Sequence, residues 1–200
     1  MKNYFDLKGQ VAIVTGCSTG LGVQMAKALA NQGATIVAMA RRKEKIEAVA
    51  KEIADEFKVP TLAVQCDITD TDRVNAAVDE VMAKFGRIDI VINNAGTGAV
   101  APAEDITDDQ FNGEMNVDLF GTFKVARAVA KKAMIPAKYG RVINIASMYG
   151  LVGNKIAGSA PYHAAKGGVV NLTRALAAEW GKYNITVISI CPGYFYTPLT

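Results

Sequence analysis

Short runs of β-branched and aliphatic residues alternate along the chain with longer amphipathic segments. The apolar runs predict six strands: Val11 to Thr15, Thr35 to Ala40, Thr61 to Gln65, Ile88 to Asn93, Arg141 to Ile145 and Thr186 to Cys191. Between them, apolar positions recur at helical spacing and predict helices over Leu21 to Asn31, Lys43 to Phe57, Thr71 to Phe85, Thr107 to Ala133 and Tyr162 to Lys182. Thr107 or Asp108 is the expected cap of the fourth helix. Stretches such as Ile88-Asp89-Ile90-Val91-Ile92 read as buried on both faces, which requires a parallel sheet covered on each side and joined by right-handed crossovers. The order βαβαβαβαβαβ thus predicts an α/β, doubly wound parallel sheet with helices on both faces. With no internal repeat, low-complexity tract or linker, residues 1–200 read as a single domain.

In such sheets ligands gather at the carboxyl ends of the strands, where Gly16, Asn93, Ser147 and Pro192 stand. Gly16, Gly20 and Gly22 follow the first strand and open a helix. There, glycines let the backbone approach a pyrophosphate and the helix N-terminus stabilises its charge, the Rossmann-like arrangement. The second strand runs into Arg41 and Arg42 rather than the acidic residue that binds the ribose hydroxyls of NAD. A guanidinium there suits a 2′-phosphate, so the pattern favours NADP(H). Tyr162 and Lys166 are four residues apart and share a helix face. The ammonium is expected to favour the ionised phenol, fitting the tyrosine for proton transfer well below its ordinary pKa of about 10.

Composition narrows the partners. A formal charge of +3 over 200 residues, with no basic cluster beyond Arg41-Arg42-Lys43, argues against nucleic acid and anionic membranes and leaves small molecules. Cys17, Cys66 and Cys191 are odd in number and scattered, so neither a disulfide framework nor a metal site is expected. No signal-like segment or long apolar run is present, and a cytoplasmic protein is expected.

Five motifs in order resemble those of the short-chain dehydrogenase/reductase family, over nearly the whole chain. They are Thr15 to Gly22 (T-G-x-x-x-G-x-G), Asn93-Asn94-Ala95-Gly96, the serine of Ile145-Ala146-Ser147, Tyr162 to Lys166 (Y-x-x-x-K) and Pro192-Gly193. The resemblance implies a cofactor site made of Gly16, Ser18, Thr19, Gly20, Leu21, Arg41, Arg42, Asp67, Ile68, Asn94, Ala95, Gly96, Tyr162, Lys166, Pro192, Gly193 and Thr197. Within it Asp67 would receive the adenine amino group, Asn93 and Gly96 would support the adenosine side, and Lys166 would hold the nicotinamide ribose. Thr197 would contact the carboxamide. Ser147 and Tyr162 would bind a carbonyl oxygen, Tyr162 exchanging its proton as hydride reaches carbon. The implied activity interconverts a ketone and a secondary alcohol. Gluconate 5-dehydrogenase-like members resemble it in the Asn144–Met148 and Pro192–Thr197 stretches, which suggests a sugar acid or polyol. A hydroxysteroid dehydrogenase and a 3-oxoacyl-carrier reductase are alternatives. A non-catalytic NADP(H)-binding module is an alternative of another class.

The chain departs from the family pattern in three places. Asp118 stands where many members carry a tetrad asparagine, and it is expected to serve the proton relay while drawing on the charge of Lys166. Ser147 and Tyr162 are separated by a longer interval than is common, containing Gly150, Gly153 and Gly158. The sequence ends at Thr200, where relatives continue into a substrate-covering helix and a last strand, and these are expected to be absent. His163, the only histidine, reads as structural or rim, and Met25, Met39, Leu176 and Trp180 as core. Met148, Tyr149, Tyr194, Phe195 and Tyr196 are candidates for the substrate mouth. Leu119, Phe120, Phe123, Val169, Leu172 and Leu176 are candidates for subunit pairing, in a dimer or tetramer, or for an intramolecular core.

Overall fold

The computed structural model describes residues 4–98, 100–155 and 158–195. Strands β1 (Val11–Thr15), β2 (Thr35–Ala40), β3 (Thr61–Gln65), β4 (Ile90–Asn93), β5 (Gly140–Ile145) and β6 (Ile185–Ile190) form one sheet in the order β3-β2-β1-β4-β5-β6. Every neighbouring pair is parallel, with Val11 opposite Thr35 and Ala12 opposite Ile90 at the centre. Helices α1 (Gly20–Asn31) and α2 (Lys43–Phe57) cover one face. Helices α3 (Thr71–Phe85), α5 (Thr122–Val129) and α7 (Ala160–Trp180) cover the other, while α4 (Asp108–Met115) and the short α6 (Ile135–Ala137) flank α5.

The two-residue pleat period explains how the central strands serve both faces. Ala12, Val14, Ile36, Ala38, Ile90 and Ile92 join α1 and α2 in one core. Val11, Ile13, Val37, Met39, Val91 and Val142 join α3, α5, Leu176 and Trp180 in the other. At roughly 1.5–3 kcal/mol for each fully buried aliphatic side chain, these two layers dominate the favourable side of folding. Met39 and Trp180 are core, as expected, and Met25 packs against the core from its edge.

Several details differ from the sequence expectation. β4 begins at Ile90 because Asp89, which reads as strand, turns its carboxylate to the start of β1. There it accepts from Val11 N at 2.8 Å and from Arg87 Nε and Nη2 at 2.9 and 2.7 Å. α7 starts at Ala160, two residues early, since Pro161 fits the first helical turn where no intrahelical N–H is required. β6 is shifted by one residue to Ile185–Ile190. The single long fourth helix is instead broken by π-helical turns at Asn116–Gly121 and Ala130–Met134. The cap there is Thr107, which accepts from Gln110 N at 3.2 Å while Gln110 Oε1 accepts from Thr107 N at 2.9 Å.

Candidate active site

The strand order reverses between β1 and β4, so the loops leaving these two strands part and open a crevice. Its walls carry Gly16, Ser18, Thr19, Gly20, Leu21, Arg41, Arg42, Asp67, Ile68, Asn94, Ala95 and Gly96, twelve of the sequence-selected residues, in a cleft of about 270 Å³. Tight packing fixes the lip. Gly16 sits at φ +66°, and a methyl group on Gly22 would lie 2.5 Å from the Gly16 carbonyl oxygen. Asn94 ties the opposite loop to this turn, donating from Nδ2 to the carbonyls of Thr15 at 3.1 Å and Gly16 at 3.4 Å. Thr15 Oγ1 accepts from Asn94 N at 3.0 Å and Ala95 N at 3.1 Å. Since backbone blocks the added methyl, Gly22→Ala is expected to cost about 1–3 kcal/mol in chemical denaturation and to weaken dinucleotide binding.

The cleft chemistry suits a dinucleotide. The N-terminus of α1 opens onto it with no acidic residue in its first turn and no side-chain bond from Thr19 capping it. Arg42 Nη2 donates to Ser18 Oγ at 2.7 Å, bringing a guanidinium beside the glycine turn, and Arg41 lines the same wall. Burial opposes ionisation of Asp67, but Thr69 donates to its Oδ1 from N at 2.9 Å and from Oγ1 at 2.8 Å. Together with Arg41 and Lys124 these bonds hold Asp67 below the ordinary carboxylate range. Asn93 departs from its implied place at the adenosine side. It is buried between β4 and β5 and donates from Nδ2 to Asn144 Oδ1 at 2.9 Å, while Asn144 donates onward to Thr173.

Behind Gly96 the cleft meets a second group of side chains. Ser147 follows β5, is buried, and accepts from Tyr149 N at 3.2 Å as it caps a short turn over Met148–Gly150. Tyr162 stands on the first turns of α7, near enough to Ser147 for the serine to favour its ionised form. One turn later Lys166 donates to the Ile145 carbonyl at 3.0 Å, and its Nζ lies 5.5 Å from the Tyr162 ring centroid. The serine and phenol hydroxyls together can hold a carbonyl oxygen and exchange a proton with it.

Asp118 is drawn into this group by the π-helical turn, and its side chain is fully buried. Its Oδ2 is 3.4 Å from Lys166 Nζ and its Oδ1 accepts from Thr97 N at 2.8 Å. Asn116 lies on another side of the turn, with its Oδ1 3.5 Å from Lys124 Nζ, so it does not replace Asp118. The expected effect of Lys166 on Tyr162 is corrected by this arrangement. Burial pushes the phenol up; the Ser147 side chain opposes this, and the charges of Asp118 and Glu114 add to it. Glu114 escaped the sequence reading. It is buried, and its Oε2 accepts from Thr97 Oγ1 at 3.0 Å. Its spacing four residues before Asp118 was the available signal.

The rim is aromatic. Tyr149 stacks on His163 with centroids 4.6 Å apart and is hydrogen-bonded to Tyr194. His163 Nδ1 is held by Ser159, consistent with a rim role. The Pro192 carbonyl accepts from Met148 N at 2.9 Å and Gly193 follows it, while Tyr196 and Thr197 lie outside the described residues. Leu119 and Val169 pack within the protein with Ala146 and Val170, Phe123 and Leu172 pack against the core, and Phe120 is half exposed. The three cysteines are free, and no helix among the described residues is long and apolar enough to cross a membrane.

A glycine-lipped crevice at the switch point of a parallel sheet, continuous with the buried Ser147 and the half-buried Tyr162, defines a dinucleotide-dependent oxidoreductase. The family model described as short chain dehydrogenase matches residues 10–200, and the chain belongs to the short-chain dehydrogenase/reductase family, whose members use a nicotinamide cofactor. It is 41% identical over 197 residues to a 2-dehydro-3-deoxy-D-gluconate 5-dehydrogenase of Formosa agariphila, covering 98% of this chain and 73% of that protein. The crystal structure of a gluconate 5-dehydrogenase from Burkholderia cenocepacia, in complex with NADP and tartrate, is 38% identical with a TM-score of 0.92, covering 98% of this chain and 75% of that one. That of an NAD+-bound xylitol dehydrogenase is 35% identical with a TM-score of 0.90, covering 96% and 72%.

Proposed function

We propose that this chain is an NADP(H)-dependent dehydrogenase/reductase that interconverts a ketone and a secondary alcohol on a sugar acid or polyol. The observation that carries the cofactor reading is the pair Arg41 and Arg42 on the cleft wall at the end of β2, where an NAD site carries a carboxylate. The likeness to gluconate-acting relatives supports the substrate class.

In this reading the turn at Gly16, Ser18, Thr19, Gly20 and Leu21 binds the pyrophosphate. Arg41 and Arg42 bind the 2′-phosphate, Asp67 and Ile68 border the adenine, and Asn94, Ala95 and Gly96 support the adenosine side. Pro192, Gly193 and Thr197 border the nicotinamide, which supplies or accepts hydride at the reacting carbon. Ser147 orients the substrate oxygen and stabilises its developing charge. Tyr162 gives that oxygen a proton on reduction and takes it back on oxidation. Lys166 holds the ribose, and Asp118 supports the proton relay. Residues 1–200 act as one catalytic domain in the cytoplasm, assembled into a dimer or tetramer through faces that include Phe120.

Two measurements test the reading. Calorimetric titration is expected to show NADPH bound more tightly than NADH, and a carbonyl panel is expected to give turnover with keto acids derived from sugars. The aromatic rim of Tyr149, Tyr194 and Phe195 favours an apolar ketone as the second reading, and turnover confined to apolar ketones would replace the first with it. Binding of neither cofactor would overturn both.

A further inference from the structure

Lys124 lies outside every motif that marks the chain, yet from α5 it reaches the wall of the cofactor cleft. Its Nζ donates to the Thr69 carbonyl at 2.5 Å, with Asn116 Oδ1 at 3.5 Å as a second, weaker acceptor. Thr69 belongs to the turn Asp67–Asp70, which joins β3 to α3 and lies far from Lys124 along the chain. Asp70 N closes that turn by donating to the Asp67 carbonyl at 3.2 Å, and the Asp70 side chain then caps α3 by accepting from Asp72 N and Arg73 N. Asp67 and Ile68 line the cleft. The π-helical turn Asn116–Gly121 packs directly against them. A methyl group on Gly121 would lie 2.6 Å from Ile68 Cδ1, and Val117 lines the same cleft.

We propose that Lys124 is a positioning residue for base recognition, holding the Asp67–Asp70 turn so that the Asp67 carboxylate selects a purine with a 6-amino group over one with a 6-oxo group. The inference rests on the reading that Asp67 borders the adenine. The bonds run in series. One peptide group, Thr69–Asp70, gives its carbonyl to the Lys124 ammonium and its N–H to the Asp67 carbonyl, so the charge at one end strengthens the bond at the other. The Thr69 N–H and hydroxyl both donate to Asp67 Oδ1, at 2.9 and 2.8 Å. Oδ1 is thereby engaged within the protein, and Oδ2 has no hydrogen bond among the described residues.

An ionised carboxylate only accepts hydrogen bonds. It suits an amino donor and repels the lone pairs of an oxo group in the same place. Lys124 serves that selection twice, by fixing the turn and by its charge. Burial opposes ionisation of Asp67; the two Thr69 bonds with the charges of Arg41 and Lys124 together overcome it. Lys124 acts through Thr69 and Asp67 and needs no contact of its own with the base.

The test is a fluorescence titration of the 200-residue protein with NADPH and with its hypoxanthine analogue, which differ at the 6-position of the base. Wild type is expected to bind NADPH about 10-fold more tightly or better, as suits a hydrogen bond to a charged group. Lys124→Met keeps the length and loses the charge, and it is expected to narrow that ratio by roughly 2–5-fold, while Lys124→Arg retains it. Asp67→Asn should narrow it most, because an amide can turn a donor toward the 6-oxo group. Thr69→Val removes one bond to Oδ1 and is expected to narrow the ratio less, which carries the test if Lys124→Met does not fold. A wild-type protein that binds the two alike overturns the proposal. So does a Lys124→Met ratio equal to that of wild type, even where both affinities fall, since an equal loss marks a structural brace. A ratio unmoved in Asp67→Asn overturns the reading of Asp67 as the partner of the adenine. If the ratio narrows as expected but no carbonyl is turned over, the part given to Lys124 stands and the catalytic reading fails.

Discussion

Replacing Tyr162 with phenylalanine is expected to lower kcat for carbonyl reduction by about 10²–10⁴-fold, the usual contribution of a positioned general acid. The substitution keeps the ring that packs near Lys166 and deletes only the hydroxyl. Fold and cofactor affinity should therefore change little, which thermal melts and NADPH titration by fluorescence would establish beside the rate. Ser147→Ala should fall in the same direction with a smaller loss, because the serine orients and stabilises the oxygen without donating the transferred proton. The double variant should cost less than the product of the two, as expected for groups acting on one atom. A Tyr162→Phe protein that keeps its turnover would mean that another group protonates the substrate. Loss of cofactor binding and turnover together would instead point to a structural part for the hydroxyl.

The sheet and most of the site were legible because their signals are local. The apolar strands lie within about two residues of their expected bounds, since burial on both faces leaves little room for polar residues. The glycine turn was legible for a similar reason: the approach of Gly22 to the Gly16 carbonyl excludes a side chain. What escaped depends on distant partners. Asp89 reads as strand, yet its carboxylate serves Val11, 78 residues earlier, and Arg87. Asn93 reads as a ligand residue, but Asn144 on the neighbouring strand holds its amide. The role of Asp118 turned on the π-helical break, which carries no periodic signature, and Glu114 looks like any acid on a surface helix until α7 closes over it. The Tyr162 phenol is raised, first by burial and then by the charges of Asp118 and Glu114, and a pair of residues read in isolation includes neither.

Removing both arginines at the end of β2, as Arg41→Ala with Arg42→Ala, is expected to weaken NADPH binding by roughly 10–150-fold for each charge-assisted hydrogen bond lost, while NADH binding changes far less. Both side chains are exposed. Their attraction for a phosphate should therefore be screened, and the difference between wild type and variant should shrink as ionic strength rises. The salt dependence separates two parts that Arg42 can play. Its Nη2 bond to Ser18 braces the glycine turn, so losing it could disturb any dinucleotide equally. A loss shared by NADPH and NADH, and insensitive to salt, would assign the arginines to bracing alone. A loss confined to NADPH and graded by salt would assign them to the 2′-phosphate. Arg41→Asp carries the argument one step further. Its carboxylate should repel that phosphate and accept hydrogen bonds from the ribose hydroxyls of NADH, so it should reverse the preference rather than merely erase it.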